Sequence, residues 1–119
     1  MISVRPVPPD DAALTTLGVA DPPPWALCLL AERDGTAVGC CVLTGAPPGP
    51  PGVVELVRID TLVVLPGVAG AERALLTAAE RFAARLGASA VLLAEYRPGI
   101  EVAGYRPTDD GYRKPLPQR

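Results

Sequence analysis

The chain contains no histidine. That absence excludes Ser-His-Asp and Cys-His catalysis within one chain, and every His-ligated metal site. Cysteine is limited to Cys28, Cys40 and Cys41. They have no companion ligands at metal spacing, so no zinc site is expected. A basic excess is also missing: the formal net charge is -2, and a broad nucleic-acid groove normally requires the opposite sign. No apolar run approaches the length needed to cross a membrane. The opening MISVRPVPPDD carries no apolar signal segment, so a soluble cytoplasmic protein without a membrane partner is expected.

What is present suits one small domain spanning residues 1–119. Hydrophobic residues make up 49% of the 119 positions. A chain of this size buries roughly two-thirds of its surface on folding. Prolines and glycines gather in short tracts, Pro22–Pro24 and Gly45–Gly52 (GAPPGPPG). These read as connectors inside one domain rather than linkers between two. The Ala-, Pro- and Arg-rich usage suggests a high-GC bacterial source.

The most informative stretch runs from Val53 to Gly87. Val53–Leu65 is rich in Val, Leu and Ile, as strands are. It is longer than most strands, and a bulge would let it bend. Pro66 and Gly67 end it. From Ala71 to Leu86 the apolar positions Ala71, Leu75, Ala78, Ala79, Phe82 and Leu86 recur at helical spacing. Glu72 and Arg85 suit the two ends of the helix dipole, and Gly87 is placed to cap the C-terminus. Ala90–Ala94 is then a short apolar run, expected to be a buried strand parallel to the first. Strand, helix and strand at this length make a right-handed βαβ crossover.

Upstream, Trp25–Ala31 and Thr36–Thr44 flank Arg33-Asp34-Gly35. Asp-Gly between apolar runs signals a two-residue hairpin turn. With a regular ladder, Cys28 would stand opposite Cys41 and Leu29 opposite Cys40. The thiols are read as small buried hydrophobes, with a reactive Cys28/Cys41 pair as the competing reading. Both faces of the hairpin are apolar, which predicts a sheet covered on both sides. Ile2–Val7 reads as an edge strand and Asp10–Leu17 as a short helix capped by Asp10 or Asp11. Glu101–Arg106 and Gly111–Lys114 read as two final strands joined by a turn.

In this order the chain resembles the GNAT N-acetyltransferases across almost its whole length. The resemblance rests on Glu32-Arg33-Asp34-Gly35 with Ala37-Val38-Gly39, and on Ile59-Asp60-Thr61-Leu62-Val63-Val64-Leu65-Pro66. It also rests on Arg73-Ala74-Leu75-Leu76, Ala103-Gly104-Tyr105 and Tyr112-Arg113-Lys114-Pro115-Leu116. It implies an α/β (α+β) fold: a mixed, mostly antiparallel twisted sheet of about six or seven strands. One long central helix and a short N-terminal helix complete it.

The resemblance also implies four functional parts. A loop entering the helix would hold CoA phosphates through backbone N–H groups and the helix N-terminus. The matching positions are Gly67, Gly70, Ala71 and Arg73. The loop lacks the family's Arg or Gln before the glycines. Glu72 would repel a pyrophosphate, with Arg73 the cation expected to offset it. The end of the long strand, Leu62, Val63 and Val64, would pair with the pantetheine arm through its backbone. The family's glutamate base is replaced by Arg58, which accepts no proton; Asp60 and Glu55 are the carboxylates left nearby. The position of the family's acidic tyrosine is Ile100, leaving Tyr96 and Tyr105 as substitute acids. Arg58 and Trp25 are candidate substrate-binding residues.

Three readings follow. The first is an acyl-CoA-dependent N-acyltransferase acting on a small amine with acetyl-CoA or another acyl-CoA, catalysing mainly by positioning. The second is a GNAT-fold protein that has lost CoA and uses no cofactor. It would bind or transform another small molecule, by cyclisation or rearrangement, in the cleft lined by Arg58, Asp60, Tyr96 and Trp25. The third is a non-catalytic homodimeric interaction module.

Overall fold

The computed structural model describes residues 1–45 and 55–117. The expected connector from Ala46 to Gly52 and the expected strand start at Val53 and Val54 lie outside the described residues. The elements in chain order are β1 (Ile2–Val7), α1 (Ala12–Thr16), β2 (Leu27–Arg33), β3 (Thr36–Gly45) and β4 (Leu56–Val64). They continue with α2 (Ala71–Arg85), β5 (Ala90–Leu93), β6 (Arg106–Thr108) and β7 (Gly111–Pro115). One sheet has the order β1-β2-β3-β4-β5-β7-β6. Among the described residues only β4 and β5 run parallel; the crossover between them is α2. No helix among the described residues is long and apolar enough to cross a membrane.

The β2–β3 turn forms where the sequence places it. Asp34 and Gly35 both take positive φ, 54° and 79°, as the twist-matching two-residue turn demands. Arg33 pairs with Thr36 and Glu32 with Ala37, but the next pair is Ala31 with Gly39. Val38 is therefore an extra residue in β3, and the register slips by one. This corrects the expected pairing of the thiols. Cys41 lies opposite Leu29, Cys40 opposite Leu30, and Cys28 opposite Val42. Because side chains alternate between faces, Cys28 and Cys41 end in different cores, and no cross-strand pair exists between them. All three thiols are free and buried. Burial pushes the Cys28 and Cys41 thiols up, and that of Cys40 up to about 11.

The sheet is covered on both faces. Leu29, Cys41, Leu43, Val57, Ile59 and Leu62 pack against α2 through Ala71, Leu75, Leu76, Ala79 and Ala83. The alanines bring the helix close to the sheet. A Cβ added at Gly39 would lie 2.8 Å from the Val63 carbonyl oxygen and 3.2 Å from Leu75 Cδ1. On the other face Cys28, Leu30, Cys40 and Val42 meet Leu14 of α1 with Leu17, Val19 and Ala26. α1 is capped by Asp11, whose carboxylate accepts from the Ala13 N–H at 2.9 Å.

β4 carries the expected bulge. Val42 pairs with Thr61 and Leu43 with Ile59, so Asp60 has no partner across the ladder. The bulge changes which residues face α2. Val57 and Ile59 point into that core, and so does Leu62, three residues on. The tail differs from expectation. The second tail strand forms as β7, but the first is only Arg106–Thr108 instead of Glu101–Arg106. Residues 97–105 instead form successive tight turns, with Ile100, Val102 and Gly104 donating three residues back and Tyr105 five back. Pro98-Gly99 and Gly104 punctuate this segment, and its Ile100 and Tyr105 are buried against the α2 core.

Candidate functional site

β4 and β5 pair from Leu56/Ala90 to Ile59/Leu93 and then part. The last link is the Ala94 N–H donating to the Ile59 carbonyl at 3.2 Å. The bulge at Asp60 coincides with this fork, as bulges bend the strand that carries them. Beyond it, Leu62, Val63 and Val64 remain paired with β3 but have lost their β5 neighbour. β4 then leads through Pro66-Gly67 to the start of α2. Gly70 is the N-cap there, with φ 84° and no side-chain cap. The first helical hydrogen bond runs from the Ala74 N–H to the Gly70 carbonyl. The N–H groups of Ala71, Glu72 and Arg73 therefore have no helical acceptor. Added Cβ atoms at Gly67 and Gly70 would meet nothing within 4 Å, so the backbone there is open to approach; positive φ is what demands glycine.

Arg97 occupies the fork. Its Nη1 donates to the Leu62 carbonyl at 3.0 Å, and its Nε to Glu72 Oε1 at 2.6 Å. One guanidinium thus covers the unpaired β4 edge and neutralises the carboxylate on the first turn of α2. The remaining wedge holds about 10 Å³ and is lined by Ile59, Asp60, Leu62, Leu93, Glu95 and Arg97. That is room for about one water. The expectation that Arg73 offsets Glu72 is corrected: the partner is Arg97, and Arg73 makes no ion pair among the described residues. Sequence spacing concealed this contact because Arg97 lies on a turn segment after β5.

The other singled-out residues are dispersed. Asp60 and Arg58 come together, with Oδ1 3.4 Å from Nε, and Asp60 Oδ2 accepts from Thr44 Oγ1 at 2.6 Å. Glu55 is exposed and joins the start of β5 through its backbone carbonyl, which accepts from the N–H and hydroxyl of Ser89. Tyr96 is exposed and packs edge-on against Tyr112 with centroids 5.5 Å apart. The nearby Glu101 carboxylate pushes its phenol up. Tyr105 is fully buried. Its hydroxyl donates to Glu80 Oε2 at 2.9 Å, while Lys114 Nζ donates to Glu80 Oε1 at 2.8 Å. Burial, and then the Glu80 charge, push this phenol well above the tyrosine range. Trp25 is 77% exposed and lies two residues before β2, which is separated from β4 by β3.

The fit to acyl-CoA therefore divides between backbone and side chains. An unpaired β4 edge and an uncapped helix N-terminus suit a pantetheine arm and a pyrophosphate. The Glu72 carboxylate and the Arg97 guanidinium stand at this edge and helix start, so a CoA held there would have to displace the pair. The pair is partly exposed, at 26% and 33% of its side-chain surface. Breaking it together with the carbonyl bond costs roughly 1–3 kcal/mol, against about 8 kcal/mol for a micromolar ligand.

No family model and no curated protein sequence matches the chain. Solved structures do. A GNAT-family protein from Desulfovibrio desulfuricans superposes with TM-score 0.72 at 14% identity, covering 98% of this chain and 100% of that one. A ribosomal-protein-alanine N-acetyltransferase from Brucella melitensis gives TM-score 0.69 at 19% identity, over 92% of this chain and 94% of that one. N-acetylglutamate synthase from Neisseria gonorrhoeae, solved with coenzyme A and N-acetyl-glutamate, gives TM-score 0.70 at 15% identity. There the match covers 99% of this chain but 36% of the other. The strand order, the fork between β4 and β5 and these superpositions agree: the chain has the fold of the GNAT N-acetyltransferases.

Proposed function

We propose that this protein is an acyl-CoA-dependent N-acyltransferase acting on a small amine, with an acyl-CoA slot gated by its own Arg97–Glu72 pair. The observation that carries the reading is the unpaired edge of Leu62–Val64 running directly into the uncapped N-terminus of α2. When bound, the thioester supplies the activated acyl group. The chain's own part is mainly positional. The backbone of Leu62–Val64 and the N–H groups of Ala71–Arg73 are the groups that would hold the cofactor. Asp60, at the bulge beside the wedge, is the carboxylate best placed to accept a proton from an incoming amine. Tyr105 is sealed in the core, and we assign the proton for a departing thiolate to solvent.

The test is release of free CoA from acetyl-CoA in the presence of a panel of primary amines, with the acylated amine identified by mass. Turnover reduced at least tenfold by Asp60→Asn supports the reading. No acylated product from any amine, with acetyl-CoA at millimolar concentration, rejects it.

A second reading is supported by the same gate. If Arg97 and Glu72 are a permanent internal ligand, the protein is a GNAT-fold binder of another small molecule with no use for CoA. Failure of acetyl-CoA to bind both the native chain and Glu72→Gln selects this reading.

A further inference from the structure

α2 carries its charges in two separate rows. Glu72 and Glu80, eight residues apart, face the 97–105 segment and β7, where Arg97 and Lys114 neutralise them. One residue further on, Arg73, Arg81 and Arg85 with Thr77 form a second row bordering the β1–β2 side, of which Arg73 and Thr77 also border the cleft beside Glu72 and Glu80. These three arginines have no ion pair or hydrogen bond among the described residues.

They overlook a groove. A seven-stranded sheet spans about 29 Å between its outer strands at about 4.8 Å per neighbour, and one helix covers only about 10–12 Å. The 97–105 segment fills the α2-facing side near β5 and β7. Over β1 and β2 the described residues offer only the edge of α2, which packs against both strands and leaves Ile2, Val4 and Leu27 partly exposed. The opening holds about 730 Å³, within the range of small-molecule sites. Its floor is Ile2, Val4, Leu27 and Leu29, with Ala78 and Phe82 on the helix wall. Ile2, Val4, Leu27, Ala78 and Phe82 are only partly buried. Among the described residues no acidic side chain lines it. From Arg73 to Arg85 the row extends about 18 Å along the helix.

We infer that this groove binds a single-chain amphipathic anion, its apolar chain on the β1–β2 floor and its carboxylate or phosphate head between Arg81 and Arg85. Three features point to that chemistry. The floor is apolar and half-exposed, so covering it is favourable at about 25 cal/mol per Å². The cations are unpaired in a chain whose net charge is -2, so attraction is local rather than global. Guanidinium groups match the planar, two-oxygen geometry of carboxylates and phosphates. The head-group position lies roughly 15–21 Å along α2 from its N-terminus, set apart from the CoA slot, although Gly70 and Arg73 at the slot also border the groove's near end.

The test is isothermal titration of the full chain with dodecanoate, dodecyl phosphate and dodecanol, each below its micellar concentration. The two anions should bind one per chain and at least tenfold more tightly than the alcohol, and their relative affinities identify the preferred head group. The double substitution Arg81→Ala with Arg85→Ala should weaken both anions about tenfold and leave dodecanol and acetyl-CoA binding unchanged. Arg33→Ala, at the exposed hairpin turn, should change nothing. Ala78→Trp, which fills the groove, should abolish binding while the melting curve shows a folded chain. Absence of anion binding, equal binding of the alcohol, or full binding by either groove variant would overturn the inference. So would a sedimenting dimer that Ala78→Trp dissociates, which would assign the groove to a second copy of the chain.

Discussion

Arg97 is tied to Leu62 across the fork of the sheet, its Nη1 3.0 Å from the carbonyl oxygen that a β5 neighbour would otherwise engage. It is a charged donor on a neutral acceptor, held in place by Glu72. Arg97→Ala should therefore cost about 1–3 kcal/mol and lower Tm by several degrees. Arg97→Lys keeps the charge but loses the fork of donors, and should recover less than half of the loss. Thermal melts of the three proteins check this. An unchanged Tm in Arg97→Ala would show that the contact contributes nothing.

The alkaline limb of stability follows from buried acids. Cys40, with a folded pKa of about 11 against 9.0 for a free thiol, and Tyr105, raised above 10.0, both keep their protons longer when folded. Above pH 9 the unfolded chain has released protons that the folded chain retains, so unfolding free energy falls with pH. Their stabilisation is fully present below pH 9 and is lost as pH rises. Denaturant midpoints measured from pH 7 to 11 should be flat to about pH 9 and then decline. Cys40→Ala should make the decline shallower between 9 and 11. A flat profile to pH 11 would contradict the burial described here.

The thiols give a second check on the register. Since Cys28 and Cys41 face opposite cores, oxidation should yield no intrachain Cys28–Cys41 disulfide in the folded protein. Labelling by an aromatic disulfide reagent should be slow and should rise to three thiols per chain only on unfolding. Rapid labelling of Cys41 in native conditions would count against the β3 bulge at Val38.

Gly111 marks a tight crossing at the start of β7. It has φ 146°, and an added Cβ would lie 2.6 Å from the Leu93 carbonyl oxygen. Backbone cannot yield as a flexible side chain does, so Gly111→Ala should destabilise by about 1–3 kcal/mol. Gly35→Ala meets nothing within 4 Å and should cost only the positive-φ strain, about 1 kcal/mol. Denaturant midpoints of the two variants decide the order.

Most of the architecture was legible in local pattern. Asp34-Gly35 dictated a turn, the helical spacing from Ala71 to Leu86 dictated α2, and the excess length of the strand before Pro66 signalled a bulge. What was not legible depended on contacts without local signatures. A single extra residue at Val38 moved the thiols to other partners, and periodicity alone does not reveal such a slip. The tail segment read as a strand over Glu101–Arg106 beside the turn that follows it, yet Pro98-Gly99 and Gly104 turn it into a cover for the core. For the candidate site, sequence located the β4 end and the helix entry. It missed Arg97, because nothing in a Tyr-Arg-Pro-Gly turn announces a guanidinium that bridges Leu62 and Glu72.

The central claim is that the fork between β4 and β5 is an acyl-CoA slot held shut by the Arg97–Glu72 pair. The most direct measurement is the equilibrium affinity of acetyl-CoA for the native chain and for Glu72→Gln, by isothermal titration. Removing the carboxylate frees Arg97 and withdraws a negative charge from the helix N-terminus, so affinity should rise about fivefold to tenfold, or about 1–1.4 kcal/mol. Saturable binding to the native chain that tightens in Glu72→Gln supports the gate. No binding to either protein at millimolar acetyl-CoA would contradict it.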